Sequence, residues 1–263
     1  MEINYDRLIL GRPIDLGGKA KLIIPTINDL LENGQDDLMA YSRIFTTTVR
    51  EQFSGVPEKV DEVEEKYPTF WEIAHDQDMS ASVGEAMFGE GIDILQMIVA
   101  GFAYWTGTEI NEYQVMTNGK IVHEKNDFVI DKQEFIDMSN LVTMVTGITP
   151  NEDLIAPKGI SSKPNQQKIW KQLYSGRVRE LKKTKSQNLA DKILILEALS
   201  RSFIPFDEVG KMNYYQFTNL LRSTEIMRAN EQNFAIYTSY KFDTKDMKLT
   251  GLSDGIQTTR LNN

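Results

Sequence analysis

Apolar positions along this chain recur mostly at three- and four-residue steps, the period of helices that bury one stripe. Leu38, Tyr41, Phe45, Val49 and Phe53 keep that period without interruption and predict one continuous helix. A shorter helix precedes it. Thr26 with Asp29 has the form of a capping box, Ile27, Leu30 and Leu31 supply the apolar side, and Asn33-Gly34 is the stop. Thr69 and Glu72 repeat the cap ahead of Phe70, Trp71, Ile73 and Ala74, which run into the polar break His75-Asp76-Gln77-Asp78. Glu58 to Lys66 reads as a short, acidic, exposed helix, and Phe135 to Val145 is helical again. Ile94 to Trp105 is apolar almost throughout but far shorter than the roughly 20 residues of a membrane span, so it predicts a buried helix.

Strand signals are fewer. Lys19 to Ile24 predicts a short strand before Pro25. Tyr113 and Val115 alternate up to Asn118-Gly119 and Ile121-Val122 return, the pattern of a hairpin closed by a type I′ turn. Periodicity lapses between Thr149 and Asn165, where Pro150, Pro157, Gly159 and Pro164 cluster. Beyond it, Ile169 to Lys183 is a basic helix. Leu189, Ile193, Leu196 and Ser200 with Ile195, Leu199 and Phe203 form a broad apolar face that ends at Pro205. Asn213 with Gln216 caps a further helix whose inward residues are Tyr214, Phe217, Leu220, Leu221 and Ile226. Because short connections join neighbours, the last two helices are expected to pair antiparallel, Ile193, Leu196, Leu199 and Phe203 facing Phe217, Leu220 and Leu221. The pattern predicts a mainly α, two-domain helical protein with a minor β-hairpin. Its parts are an acidic α-rich domain over residues 1–148, a linker over 149–165 and a basic helical domain over 166–263.

Charge follows the same division. The chain of 263 residues has a net charge of −9, yet residues 1–157 hold 28 acidic against 11 basic residues and residues 158–263 hold 10 against 18. Lys158 to Lys192 alone carries ten cations, which read best as a solvated helix face meeting the acidic half. The acidic total speaks against nucleic-acid partners, and no apolar run predicts a membrane span. The opening Met1-Glu2-Ile3-Asn4-Tyr5-Asp6 lacks the cationic start and apolar run of a signal peptide, and a cytoplasmic location is expected. With no cysteine, disulfides, thiolate metal sites and cysteine nucleophiles are excluded, and two histidines, His75 and His123, leave little for imidazole chemistry.

The candidate motifs fail on inspection. Gly84 to Gly91 has phosphate-loop glycine spacing but ends in Glu90-Gly91 where Lys and Ser or Thr are needed, so the glycines are expected to break a helix. His123-Glu124 lacks the second histidine of a zinc protease, since Asp127 stands there, and His123 reads as an exposed polar residue. Asp76, Asp78 and Ser80 start like a calcium loop, which Ala81 and Met87 spoil. Asp131, Glu134 and Asp137 share a helical face and carry the enzyme alternative, although acidic residues at a helix start answer first to the helix dipole. No catalysis, metal or cofactor is expected.

Residues 169–252 present a further sequence of features. Arg177-Val178-Arg179-Glu180-Leu181-Lys182-Lys183 precedes Leu189-Ala190-Asp191-Lys192-Ile193-Leu194, a Phe-Asp-Glu-Val turn at 206–209 and Met212-Asn213-Tyr214-Tyr215-Gln216-Phe217. Asn233-Phe234-Ala235-Ile236-Tyr237 and Asp243-Thr244-Lys245-Asp246-Met247-Lys248-Leu249 close it. This order resembles the tail assembly chaperones of long-tailed bacteriophages, as do Leu10-Gly11-Arg12-Pro13-Ile14 and Ile24-Pro25-Thr26-Ile27-Asn28-Asp29-Leu30, whereas residues 76–124 have no counterpart there. The resemblance implies a non-catalytic accessory in the host cytoplasm that coats hydrophobic segments of the tape measure protein and brings it to tail tube subunits. Self-association stays open, and a virion structural protein of the tail connector or baseplate is the alternative. Such a chaperone needs apolar grooves between helices, and the partner-binding candidates are Leu189, Ile193, Leu196, Tyr214, Phe217 and Leu221. The 11 methionines suit adaptable binding or ordinary packing.

Overall fold

A computed structural model describes residues 3–183, 187–239, 241 and 245–261. In chain order run α1 (Tyr5–Ile9), β1 (Ile14–Gly17), β2 (Ala20–Leu22), α2 (Ile27–Asn33), α3 (Gln35–Thr46), α4 (Val49–Phe53), α5 (Val60–Lys66), α6 (Phe70–Ala74), α7 (Gln77–Phe88) and α8 (Ile94–Thr106). Strands β3 (Tyr113–Val115), β4 (Ile121–His123) and β5 (Phe128–Ile130) follow, then α9 (Lys132–Thr146), α10 (Pro164–Lys183), α11 (Leu189–Leu199), α12 (Phe206–Lys211) and α13 (Tyr214–Tyr237). β1 pairs with β2, and β3, β4 and β5 form a separate antiparallel sheet in that order. The fold is mainly α with a minor antiparallel β component, as the periodicity predicts.

The chain divides into two compact units, but not at the expected place. One unit holds Pro13–Ile23 and Asp36–Ser186, and the other holds Glu2–Arg12, Ile24–Gln35 and Gln187–Asn263. Residues 149–165, expected as a linker, belong inside the first unit. Arg50, buried in α4, donates from Nε to the Ala156 carbonyl at 2.7 Å and from Nη2 to the Pro157 carbonyl at 2.6 Å. Ser54 Oγ accepts the Ala156 N–H at 2.8 Å, and the Asp61 carboxylate accepts the N–H groups of Gly159 and Ser161 at 3.0 and 2.8 Å. Ala156 and Ile160 pack with Val60 and Trp170, and the Trp170 indole donates to the Ser54 carbonyl at 2.7 Å. Proline and glycine end the periodicity here, yet side chains of α4 and α5 bond to the irregular backbone and hold it against the first unit, with Ala156 and Ile160 buried.

The charge division dissolves with the domain division. Counted on the sequence, the first unit carries 25 acidic against 18 basic residues and the second 13 against 11. Basic α10 lies in the same unit as most of the acidic residues, and Lys171 pairs with Glu58 and Arg177 with Asp153.

Several local expectations are also corrected. The stripe Leu38 to Phe53 is two helices, because Thr48 leaves helical geometry and its hydroxyl accepts the Glu51 N–H at 3.1 Å as the cap of α4. The β3–β4 turn is not type I′. Its Gly119 N–H bonds to the Met116 carbonyl at 2.9 Å and only Gly119 takes a positive φ, +81°, so Asn118 needs none. Of the glycines expected to break a helix, Gly89 and Gly91 do so, with φ of +110° and +79° past the end of α7, whereas Gly84 lies within α7, where a Cβ would stand 2.3 Å from the Ile92 carbonyl oxygen just ahead of α8. His123 is buried, not exposed.

In the second unit α2 joins the start of α13. Thr26 and Asn213 form an antiparallel bridge, Ile27 N–H bonds to the Met212 carbonyl and Tyr214 N–H to the Pro25 carbonyl, both at 2.9 Å. Helices α11 and α13 do pack together. Their register is not that of a tight hairpin, since Leu199 at the end of α11 accepts the Arg228 Nε–H at 2.6 Å. Arg228 lies about 21 Å along the axis from the first residue of α13 at 1.5 Å per residue. Phe203, expected in the interface, is exposed because α11 ends at Leu199 and the chain leaves before reaching it.

Candidate functional site

The six residues expected to bind a partner all lie in the second unit, and most of them are its core. Leu189, Leu196, Tyr214 and Phe217 are buried, while Ile193 and Leu221 are half-buried. A buried side chain offers no surface to a partner, so the face read from the sequence is a packing face. Burial also pushes the phenol pKa of Tyr214 up. The local reasons are the predicted ones: Asn213 and Gln216 form a reciprocal capping box at the start of α13, and Asn188 and Asp191 form another at the start of α11.

The apolar surface of this unit lies elsewhere. Phe203 and Phe206 stand 72% and 54% exposed, edge to face with ring centroids 6.1 Å apart on either side of Pro205. Leu10, Leu31 and Leu194 are exposed, as are Phe234, Ile236 and Tyr237 in the last turns of α13. Near those turns, Glu231 takes hydrogen bonds from Arg201 and from Arg228, which together hold its carboxyl below the usual range. Among the described residues the unit exposes eleven large apolar or aromatic side chains against ten that it buries, a balance that leaves much apolar surface to be covered.

A third feature was missed at the sequence level. The segment 251–261, which has no regular secondary structure, lies along α13 and is held by that helix's side chains. Asn230 Nδ2 donates to the carbonyls of Leu252 and Asp254 at 3.2 and 2.9 Å. Asn219 Oδ1 accepts the Thr259 N–H at 2.7 Å, and the Tyr215 hydroxyl donates to the Thr259 carbonyl at 2.6 Å. The Leu261 N–H reaches the Tyr5 hydroxyl at 3.1 Å, and the Arg260 guanidinium lies 5.3 Å from the Tyr5 ring centroid. Beside this segment opens a groove of about 520 Å³ lined by Ile9, Met212, Leu220 and Ile256, with Gln216 and Ser223 at its polar side. The available signal was two asparagines eleven residues apart inside one helix. Asparagine is a poor interior helix former, and eleven residues are three turns, so both lie on one face.

The histidines and acidic residues of the first unit take structural positions. His123 Nδ1 accepts the Asn126 N–H at 3.2 Å, which leaves Nε2 to donate to Glu112 at 3.0 Å, a tautomer assigned from this network. Lys125 and then His123 hold the Glu112 carboxyl below its ordinary range. Asp131 caps α9 through the N–H groups of Gln133 and Glu134, and Glu134 is pushed up by burial and by the nearby charges of Asp137 and Asp131. Asp76 caps α7, so the region of the calcium-like spacing is helix.

No family model, curated protein or solved structure matches this chain. Among the described residues no helix is long and apolar enough to cross a membrane.

Proposed function

We propose that the chain is a tail assembly chaperone of a long-tailed bacteriophage, a non-catalytic protein of the host cytoplasm that binds the tape measure protein and delivers it to the tail tube protein. The observation that carries this reading is the apolar exterior of the second unit, where exposed large side chains equal or exceed the buried ones. A client with long apolar helices would cover such a surface, and exposed aromatic pairs such as Phe203 and Phe206 are the side chains that anchor interfaces. The resemblance of the feature order across residues 169–252 to tail assembly chaperones is what suggests a tape measure protein as the client.

Co-expression with a tape measure protein tests it. The client should gain solubility and co-purify. Phe203→Ser with Phe206→Ser should weaken capture by at least about tenfold while stability moves by no more than roughly 0.5 kcal/mol, since neither ring is buried. Absence of co-purification with no gain in client solubility refutes the proposal. Stoichiometric copies of the chain in purified virions would make it a structural subunit instead.

A further inference from the structure

We infer that His75 is a latch whose closed form needs a doubly protonated imidazolium. It joins the end of α6 to the tip of the β3–β4 hairpin and releases that tip as pH rises through the range in which histidine loses its charge.

His75 Nδ1 lies 2.7 Å from the Trp71 carbonyl oxygen, and Nε2 lies 2.7 Å from the carbonyl oxygen of Gly119, 44 residues along the chain. A carbonyl only accepts, so both ring nitrogens must donate, and a neutral imidazole has a single N–H. Turning the ring over does not help, because Cδ2 and Cε1 would then face the two oxygens and leave both without a donor. The positive charge therefore belongs to the closed contact. Gly119 is fitted to it: its φ is +81°, and a Cβ there would stand 2.8 Å from Cδ2 and Nε2 of the ring.

The charged groups around the ring are engaged with one another. Lys120, next to the hairpin tip, meets Asp131 at 3.4 Å, and Lys132 at the start of α9 pairs with Glu72 of α6. Asp76, ahead of α7, meets Lys66 at 3.5 Å and accepts from the Tyr67 hydroxyl at 2.5 Å. The two carbonyls thus decide which protonation state of the ring fits.

The two contacts are not equal once a proton is lost. The His75 backbone N–H bonds to the Glu72 carbonyl at 3.2 Å instead of the Trp71 carbonyl four residues back, so the ring Nδ1–H stands in as that carbonyl's donor. The Gly119 contact lies in an exposed turn, where water can replace the ring. The neutral ring therefore keeps Nδ1–H and turns the Nε2 lone pair toward the Gly119 oxygen, which pushes the hairpin tip away. The cleft of about 520 Å³ beside the latch, lined by Trp71, Asn118, Lys120 and Lys132 among others, widens with it.

The full chain, labelled with ¹⁵N, is compared at pH 5 and pH 8 by long-range ¹H–¹⁵N spectra of the histidine rings, with His75→Gln assigning the signals. Hydrogen exchange of the Gly119 and Lys120 amides, corrected for its intrinsic pH dependence, is measured alongside. At pH 5 both nitrogens of His75 should be protonated. At pH 8 the ring should carry its proton on Nδ1, opposite to the tautomer an isolated histidine side chain favours, and protection of the two amides should fall by about fivefold, the worth of one lost hydrogen bond. In His75→Gln, checked by thermal unfolding, their protection should no longer depend on pH. An Nε2–H tautomer at pH 8, or equal protection at the two pH values in the unaltered chain, would overturn the inference. So would a pH dependence that survives His75→Gln, because it would then belong to His123 in the same sheet. None of these readouts involves a client, so this result and the chaperone test fail separately.

Discussion

Arg50 shows how one side chain fixes the path of a distant stretch. Its guanidinium is buried and meets Asp61 at 2.8 Å, Glu64 at 2.5 Å and the carbonyls of Ala156 and Pro157, so charge and donors are both satisfied. A buried cation without such partners would cost several kcal/mol. Asp61 in turn is raised by its burial, but the Ser161 N–H, Arg50 and the Gly159 N–H outweigh that and hold it down to about 2, from 3.8. A carboxyl lowered on folding stabilises the native state above its unfolded pKa and loses that contribution as pH falls through the folded value. Asp61→Asn is therefore expected to cost roughly 2 kcal/mol near neutral pH, with the difference from the unaltered chain shrinking between about pH 4 and pH 2. Urea unfolding of both proteins across that range measures it, and a difference that stays constant with pH would show that Asp61 acts through packing alone.

Elements were legible where the signal is local. The capping boxes Thr26 with Asp29, Thr69 with Glu72 and Asn213 with Gln216 all form, because each needs only four consecutive residues. The buried helix α8 and the β3–β4 hairpin are likewise where pattern put them. What was not legible depends on partners far along the chain. The stripe through Phe45, Val49 and Phe53 keeps helical spacing across a break that Thr48 caps, so period alone could not reveal it. Four of the six candidate site residues are core for a related reason: periodicity finds the apolar side of α11 and α13 but not what covers it, and Leu8, Ile24, Ile27 and Leu30 join the same unit from the other end of the sequence. Residues 149–165 looked like a linker because bonds from Arg50, Ser54 and Asp61 span about a hundred residues. Trypsin should therefore cut slowly after Lys158, although that side chain is exposed, since the backbone on both sides is bonded. Mass spectrometry of the earliest fragments decides this, and cleavage after Lys158 ahead of other sites would restore the linker.

At the scale of the whole molecule, the two units are interleaved along the sequence: the chain passes from one to the other between Arg12 and Pro13, Ile23 and Ile24, Gln35 and Asp36, and Ser186 and Gln187. A cut in the chain thus does not separate two folding units, whatever the charge and proline patterns suggest. The second unit makes this concrete. Four of its ten described buried apolar residues, Leu8, Ile24, Ile27 and Leu30, come from before residue 36. The start of α13 is tied to the same region by the Thr26–Asn213 bridge, the Ile27 to Met212 bond and the Tyr214 to Pro25 bond. A fragment of residues 166–263, the expected C-terminal domain, would keep its helical sequences but lose those side chains and backbone partners. Each buried aliphatic residue contributes about 1.5–3 kcal/mol by burial, so losing four exceeds the few kcal/mol that hold a small unit folded. The fragment is expected to show helical circular dichroism without a cooperative thermal transition and to bind a hydrophobic dye such as ANS. Adding residues 2–35 as a separate peptide should restore cooperativity at least in part, because the missing contacts lie within that stretch. A fragment that unfolds cooperatively on its own would show that the residues before 36 decorate the unit without completing it.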